Sequence, residues 1–133
     1  MFVKPDGVRR GLVGEVIRRV EAKGLKIVAL RMLHPNTELA AGLYAEHEGK
    51  PFYDNLVAFI ISGPIVAMAL EAPDAHVAVR SLMGATDPLK AVPGTIRGDL
   101  ALVIDSNVVH GSDSAASAAR ELALFFPELD PAG

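Results

Sequence analysis

The chain has 133 residues, no cysteine and a formal net charge of −3, a length that suits one domain, 1–133, with its own apolar core. Disulfides, thiolate catalysis and cysteine-held metals are excluded, and the acidic balance speaks against a binder of nucleic acid. Half the residues are hydrophobic, too many for a disordered chain. The longest apolar runs, such as 65–70, fall far short of the roughly 20 residues of a membrane span. No signal peptide is read at the start, so no membrane partner and a cytoplasmic location are expected.

In chain order, Phe2 and Val3 read as the end of a strand stopped by the turn signal Pro5-Asp6-Gly7. Residues 11–23 read as a helix, with Leu12, Val13, Val16, Ile17 and Val20 on one face and Gly24 as its stop. A strand is expected over 25–33. Pro35-Asn36-Thr37 breaks it and caps a helix over 38–47. A short helix over 56–61 and a buried strand over 65–71 follow. Pro73 opens a helix carrying Val79, Leu82 and Met83 that stops at Gly84. Residues 85–100 lack periodicity and hold Pro88, Pro93, Gly94 and Gly98; so long a loop in a small domain tends to be functional. Weak strands are expected at 101–104 and 107–110. Ser114 caps a last helix with Ala115, Ala118, Leu122 and Phe125 on its apolar face, and the tail 127–133 is irregular. This order fits a parallel α/β sheet and an antiparallel α+β sandwich alike.

The chemistry-bearing candidates are few. His110 ends an apolar strand and precedes Gly111-Ser112-Asp113, which leaves its ring uncrowded. A neutral imidazole can attack phosphorus if its other nitrogen is held by an acceptor, and Glu121 on the next helix could be that acceptor. Taken alone, the same motif reads as a turn histidine. Lys4, Arg80 and Arg97 sit at a corner, on a helix and in the long loop. Phosphoryl transfer asks a protein mainly for position and positive charge, and arginine's fork suits paired phosphate oxygens; singly, each also reads as a solvated charge. Thr86 could add a hydroxyl to a phosphate, Tyr44 could reach the site from its helix, and Phe52 with Leu56 could form a platform for a flat base. His34, His47 and His76 lack metal-ligand spacing and read as surface residues. Neither a Walker A sequence nor a Gly-x-Gly-x-x-Gly loop occurs.

Six blocks carry a family resemblance: Val3-Lys4-Pro5-Asp6-Gly7-Val8; Tyr44-Ala45-Glu46-His47 with Lys50-Pro51-Phe52; Ser62-Gly63-Pro64; Met83-Gly84-Ala85-Thr86-Asp87-Pro88; Pro93-Gly94-Thr95-Ile96-Arg97-Gly98-Asp99; and Asn107-Val108-Val109-His110-Gly111-Ser112-Asp113. Together, in this order and over nearly the whole chain, they resemble the nucleoside diphosphate kinases. The resemblance implies a ferredoxin-like α+β fold with a four-stranded antiparallel sheet, and a long loop that both covers the nucleotide and packs between subunits.

It further implies that His110 takes the terminal phosphate of one nucleoside triphosphate and passes it to a diphosphate, in two ping-pong steps. Glu121 and Ser112 would orient it. Lys4, Tyr44 and Asn107 would lie around the sugar and the transferred phosphate, and Arg80, Thr86 and Arg97 would hold the phosphates. Phe52 and Ile104 would sandwich the base, with Leu56 beside Phe52. ATP, GTP, ADP, GDP and their deoxy forms would all be accepted. Mg²⁺ would travel on the nucleotide phosphates with no direct protein ligand, and the subunits would assemble from dimers into a homo-tetramer or hexamer. Relatives usually have more residues before the lysine, so a shortened first strand is expected. The alternative on the same fold is a catalytically weak nucleotide-binding or interaction protein.

Overall fold

The computed structural model describes residues 1–129; of the tail expected to be irregular, 130–133 lie outside the described residues. One four-stranded sheet forms the frame, made of β1 (Phe2–Val3), β2 (Lys26–Leu33), β3 (Ile65–Glu71) and β4 (Val109–His110) in the spatial order β2-β3-β1-β4. Every pairing is antiparallel, so the α+β sandwich holds and the parallel sheet does not. Around it lie α1 (Pro5–Arg9), α2 (Val13–Lys23), α3 (Thr37–Leu43), α4 (Tyr53–Ile60), α5 (Ala75–Met83), α6 (Ile96–Leu100) and α7 (Ala115–Phe125).

The two-residue β1 organises both cores. It lies between β3 and β4, with Phe2 opposite Ala67 and His110, and Val3 opposite Val66 and Val109. Neighbouring strand residues point to opposite faces. Phe2 therefore joins Ala40, Leu43, Ile60 and Phe125 in a core under α3, α4 and α7. Val3 joins Val16, Val20, Val79, Met83 and Val109 in the core against α2 and α5. Both side chains are essentially sealed from solvent, at 1% and 0% exposure. Burial of that completeness stabilises by roughly 1.5–3 kcal/mol per side chain, which lets so short a strand hold its place.

The outer strand β2 changes face along its length. A bulge between Ile27 and Ala29 shifts its register on β3, so Ile27 packs into the Val3 core while Ala29 and Leu33 pack into the Phe2 core. Val28, Leu30 and Met32 are left 42%, 51% and 60% exposed. This edge strand thus shows an apolar row to the outside.

Several expectations shift. Pro5-Asp6-Gly7 is not a plain turn but the start of α1, with Pro5 at the first helical position and Lys4 extended before it, where a proline's missing N–H costs nothing. The helix expected over 38–47 stops at Leu43, and a 3-10 turn, Ala45–His47, follows. The helix expected from 56 begins at Tyr53, and the one after Pro73 begins at Ala75. The loop 85–100 is not structureless. Asp87 caps a 3-10 turn at Pro88–Lys90 by accepting from the Leu89 amide, and Thr95 caps α6 by accepting from the Gly98 amide. Residues 101–104 form no strand: Leu102, Val103 and Ile104 are exposed, and a 3-10 turn runs Ile104–Ser106. Asn107 and Val108 also leave the ladder, which begins at Val109.

Candidate functional site

His110 faces the α3–α7 side because it lies opposite Phe2 in the ladder, and cross-strand partners share a face. The two rings stack, with centroids 4.6 Å apart and planes 17° from parallel. Ser114 caps α7 by accepting from the Ser117 amide, and two turns into that helix the buried Glu121 meets the His110 ring at Nε2. An ionised carboxylate only accepts, so Nε2 carries the proton. Nδ1 keeps a lone pair that this bond does not engage. Burial pushes the His110 pKa down, against the opposing pull of Glu121. The Glu121 carboxyl is itself held low: burial pushes it up, but hydrogen bonds from His110 and Ser112 outweigh that. The pair is therefore a neutral imidazole on an ionised carboxylate at neutral pH.

A cleft opens beside this pair, lined by Tyr44, His47, Arg80, His110, Asp113 and Glu121 among others. Tyr44 is 8% exposed, and burial, with Glu121 nearby, pushes its hydroxyl up to about 12; it stays protonated and able to donate. Arg80 reaches from α5 toward the Gly111 carbonyl at 3.5 Å, and it also borders a second, more open cleft with Gly84, Thr86, Lys90 and Thr95. His47, read from sequence as a surface residue, lines the site. Phe52 and Ile104 are 46% and 53% exposed, unlike ordinary core residues. The His47 ring meets Phe52 edge-on at 5.3 Å, and Lys50 lies over its face at 5.8 Å. Leu56 packs below, against the Phe2 core.

Lys4, Asn107 and Arg97 form a second layer. The Lys4 ammonium donates to Asn107 Oδ1 at 2.7 Å, and Asn107 Nδ2 donates to the Thr86 carbonyl at 2.9 Å. Thr86 is thereby fixed to the strand end by its backbone, while its side chain stays at the exposed cleft. Arg97 is 4% exposed. Its guanidinium donates to the carbonyls of Gly84, Asn107 and Val109 at 3.1, 3.3 and 2.7 Å. The sequence suggests a phosphate grip at Arg97; the fold makes it first a strap between the long loop and β4. Burial, with Arg97 close by, pushes Lys4 down to about 8, and burial, with Arg80 close by, pushes Arg97 down to about 10. Both remain cationic at pH 7, in a region where positive charge is crowded and the Asp6 carboxylate offsets only part of it.

Two features escape sequence reasoning. Val108 is a β-branched residue at φ +72°, and the Val109 amide donates to the Asn107 carbonyl at 2.8 Å across it. That is a γ-turn in its strained form, an outlier for valine that costs on the order of 1–3 kcal/mol. Asp6 is the second. Its Oδ2 accepts the Val108 amide at 3.0 Å, and the Lys4 amide donates to the Val108 carbonyl at 2.8 Å. Asp6 Oδ1 is buried with no hydrogen-bond partner among the described residues. Valine carries no sequence signal for positive φ. The tight fit of this corner shows at Gly7, where a Cβ would stand 2.6 Å from Val3 and 3.1 Å from the Val108 carbonyl.

The depressed His110 value carries a stability consequence. Below pH 6.5 the unfolded chain takes up the histidine proton before the folded one does; stability therefore falls on acidification from that point. Glu121, also depressed, adds a further loss below pH 4.5. Urea unfolding at pH 7.5 and 5.5 is expected to show a drop in midpoint for the wild type and a smaller drop for His110→Gln. Equal drops would mean that His110 titrates normally in the fold.

The family model for nucleoside diphosphate kinase matches residues 1–130. A nucleoside diphosphate kinase of Pelotomaculum thermopropionicum is 59% identical over 126 residues, covering 95% of this chain and 85% of that protein. One of Mycolicibacterium gilvum is 59% identical over 130 residues, covering 97% and 96%. Among solved structures, a nucleoside diphosphate kinase family protein of Babesia bovis superposes with a TM-score of 0.93 at 49% identity, over 96% of this chain and 86% of that one. The halophilic nucleoside diphosphate kinase of Halobacterium salinarum, solved in complex with CDP, gives 0.91 at 54% identity, over 94% and 84%. The chain belongs to the nucleoside diphosphate kinase family.

Proposed function

We propose that this chain, acting as one catalytic unit, moves the terminal phosphate of a nucleoside triphosphate onto a nucleoside diphosphate by way of His110. The observation that carries the reading is the Glu121 carboxylate on Nε2, which leaves Nδ1 as the nucleophile. In the first step the Nδ1–P bond forms, the bond between phosphorus and the bridging oxygen breaks, and the diphosphate departs with that oxygen. The imidazole gains positive character as it bonds to phosphorus, and Glu121 stabilises that charge through Nε2–H. The second step is the reverse, onto a different diphosphate.

The surrounding residues have separable parts in this reading. Arg80 and the Thr86 hydroxyl grip phosphates from the exposed cleft. Lys4 and Arg97, cationic but short of counter-charge, supply fixed positive potential that developing phosphate charge relieves. Asn107 holds Lys4 in line, Ser112 steadies Glu121, and Tyr44 donates from its buried hydroxyl. The base lies on Phe52 and Ile104 with Leu56 beneath. Such apolar stacking selects for flatness rather than for a pattern of donors, so adenine and guanine nucleotides are both accepted, in this reading together with their deoxy forms. Among the described residues no three His, Asp or Glu side chains are grouped as metal ligands. In this reading Mg²⁺ would arrive as part of a nucleotide-phosphate complex, where the ion shields phosphate charge.

Incubation with Mg²⁺ and [γ-³²P]ATP is expected to place an acid-labile label on the protein, which leaves on addition of unlabelled GDP. His110→Ala is expected to take no label, and a variant that labels and turns over normally would overturn the reading. Arg80→Ala, losing a charge-assisted contact of about 1.5–3 kcal/mol, should slow transfer by roughly tenfold or more. Label that forms but never passes to a diphosphate would point instead to a phosphate carrier.

We also propose a homo-oligomer assembled from dimers. Val28, Leu30 and Met32 give the edge strand β2 an apolar row, the kind of edge that an isolated monomer would blunt with charge. Leu89, Val92 and Leu102, exposed by 79%, 67% and 72% in and after the long loop, offer a second apolar area. Sedimentation is expected to give a tetramer or hexamer for the wild type and a smaller species for Leu30→Lys/Met32→Lys. A wild-type monomer at micromolar concentration would contradict this.

No helix among the described residues is long and apolar enough to cross a membrane; in our reading the chain acts on free nucleotides in the cytoplasm.

A further inference from the structure

The strained turn at Val108 stands two residues before His110, and a single side chain from a distant part of the sequence meets its amide. Asp6 is 6% exposed, sits in the first turn of α1 and accepts from Val108 N at 3.0 Å. The same turn is closed from Val109 N to the Asn107 carbonyl, and its outer carbonyl takes the Lys4 amide. The Lys4–Gly7 corner thus holds the turn from both sides: backbone on one, Asp6 carboxylate on the other. Asn107 and His110, on either side of the turn, are the residues whose side chains must meet Lys4 and Glu121. An extended backbone at Val108 would change the directions of both.

We propose that Asp6 is a positioning residue for phosphate transfer: its carboxylate holds the Val108 amide in the left-handed turn and so fixes His110 against Lys4 and Asn107. The inference rests on His110 being the phosphate acceptor. An aspartate in the first turn of a helix also favours that helix by its charge, and a purely structural role of that kind would affect stability alone. The two roles separate through glycine, which takes φ near +72° without strain and no longer needs the clamp.

Single-turnover labelling of His110 by saturating Mg²⁺-ATP supplies the test, on folded wild type, Asp6→Ala, Val108→Gly and the double variant. Asp6→Ala is expected to slow labelling about a hundredfold, the scale of an ångström-level misplacement, with a much smaller change in nucleotide affinity. Adding Val108→Gly is expected to restore most of the rate, although the lost valine packing lowers the unfolding midpoint further. Activity rising while stability falls is an outcome that a structural role does not produce. If Asp6→Ala does not fold, the double variant is read against Val108→Gly alone. Near-equal rates support the clamp, and a loss of about a hundredfold in that background overturns it. Wild-type labelling speed in folded Asp6→Ala, or no rescue by glycine, also overturns it. A wild type that takes no label on His110 would instead remove the functional reading on which the clamp depends.

Discussion

A histidine can accept a phosphoryl group only on a nitrogen that keeps its lone pair, and here the bond from His110 Nε2 to Glu121 decides which nitrogen that is. Much of the architecture serves that bond. Glu121 must come from a helix that starts just after the strand end, so Ser114 caps α7 within four residues of His110. The ring must stand on the α7 side of the sheet, which the register with Phe2 enforces. Phe2 then backs the imidazole with a flat apolar surface, limiting its rotation and excluding water. Desolvation keeps the ring neutral, while the carboxylate keeps its inner nitrogen protonated.

The phosphate-facing side carries the opposite kind of strain. Lys4 and Arg97 are both depressed by burial and by neighbouring positive charge. Such crowding disfavours the empty protein and becomes favourable when anionic oxygens arrive. The strap from Arg97 to three carbonyls keeps the long loop and β4 in register meanwhile. Stability is thus given up at the corner and turn, and recovered in the two apolar cores that Phe2 and Val3 join. An interaction protein on the same fold would have no use for this arrangement of cations around a neutral histidine.

The legible parts of the sequence were those with long, unambiguous periodicity. The α2 face and the buried run of β3 read correctly because each repeats over several turns or residues. The five-residue α1 and α6 were not legible: neither is long enough to show a period, and their Pro-Asp-Gly and Arg-Gly-Asp sequences look like turns. Residues 101–104 look like a strand because they are apolar, yet they lie exposed. Periodicity alone leaves sheet direction open, because it records burial and not pairing; the antiparallel sheet is implied by the family resemblance. His110 alone reads as a turn histidine; only its company of Lys4, Arg80, Thr86, Arg97, Asn107 and Glu121, within a family set of motifs, gives it weight. The sequence shows Arg97 as a cation near the site but not its strap to three carbonyls, since burial and carbonyl partners are properties of the fold. Asp6 and Val108 left no signal of their chemistry, because a clamp between residues 102 apart in sequence exists only after folding.

The central claim is that Glu121 reserves Nε2 and leaves Nδ1 for phosphorus. Phosphorylating ¹⁵N-histidine-labelled protein with Mg²⁺-ATP and recording ³¹P–¹⁵N couplings before hydrolysis tests it directly. Phosphorus coupled through one bond to Nδ1 of His110, with Nε2 still protonated, is the predicted result. Phosphorus on Nε2, or on a residue other than His110, would contradict the account.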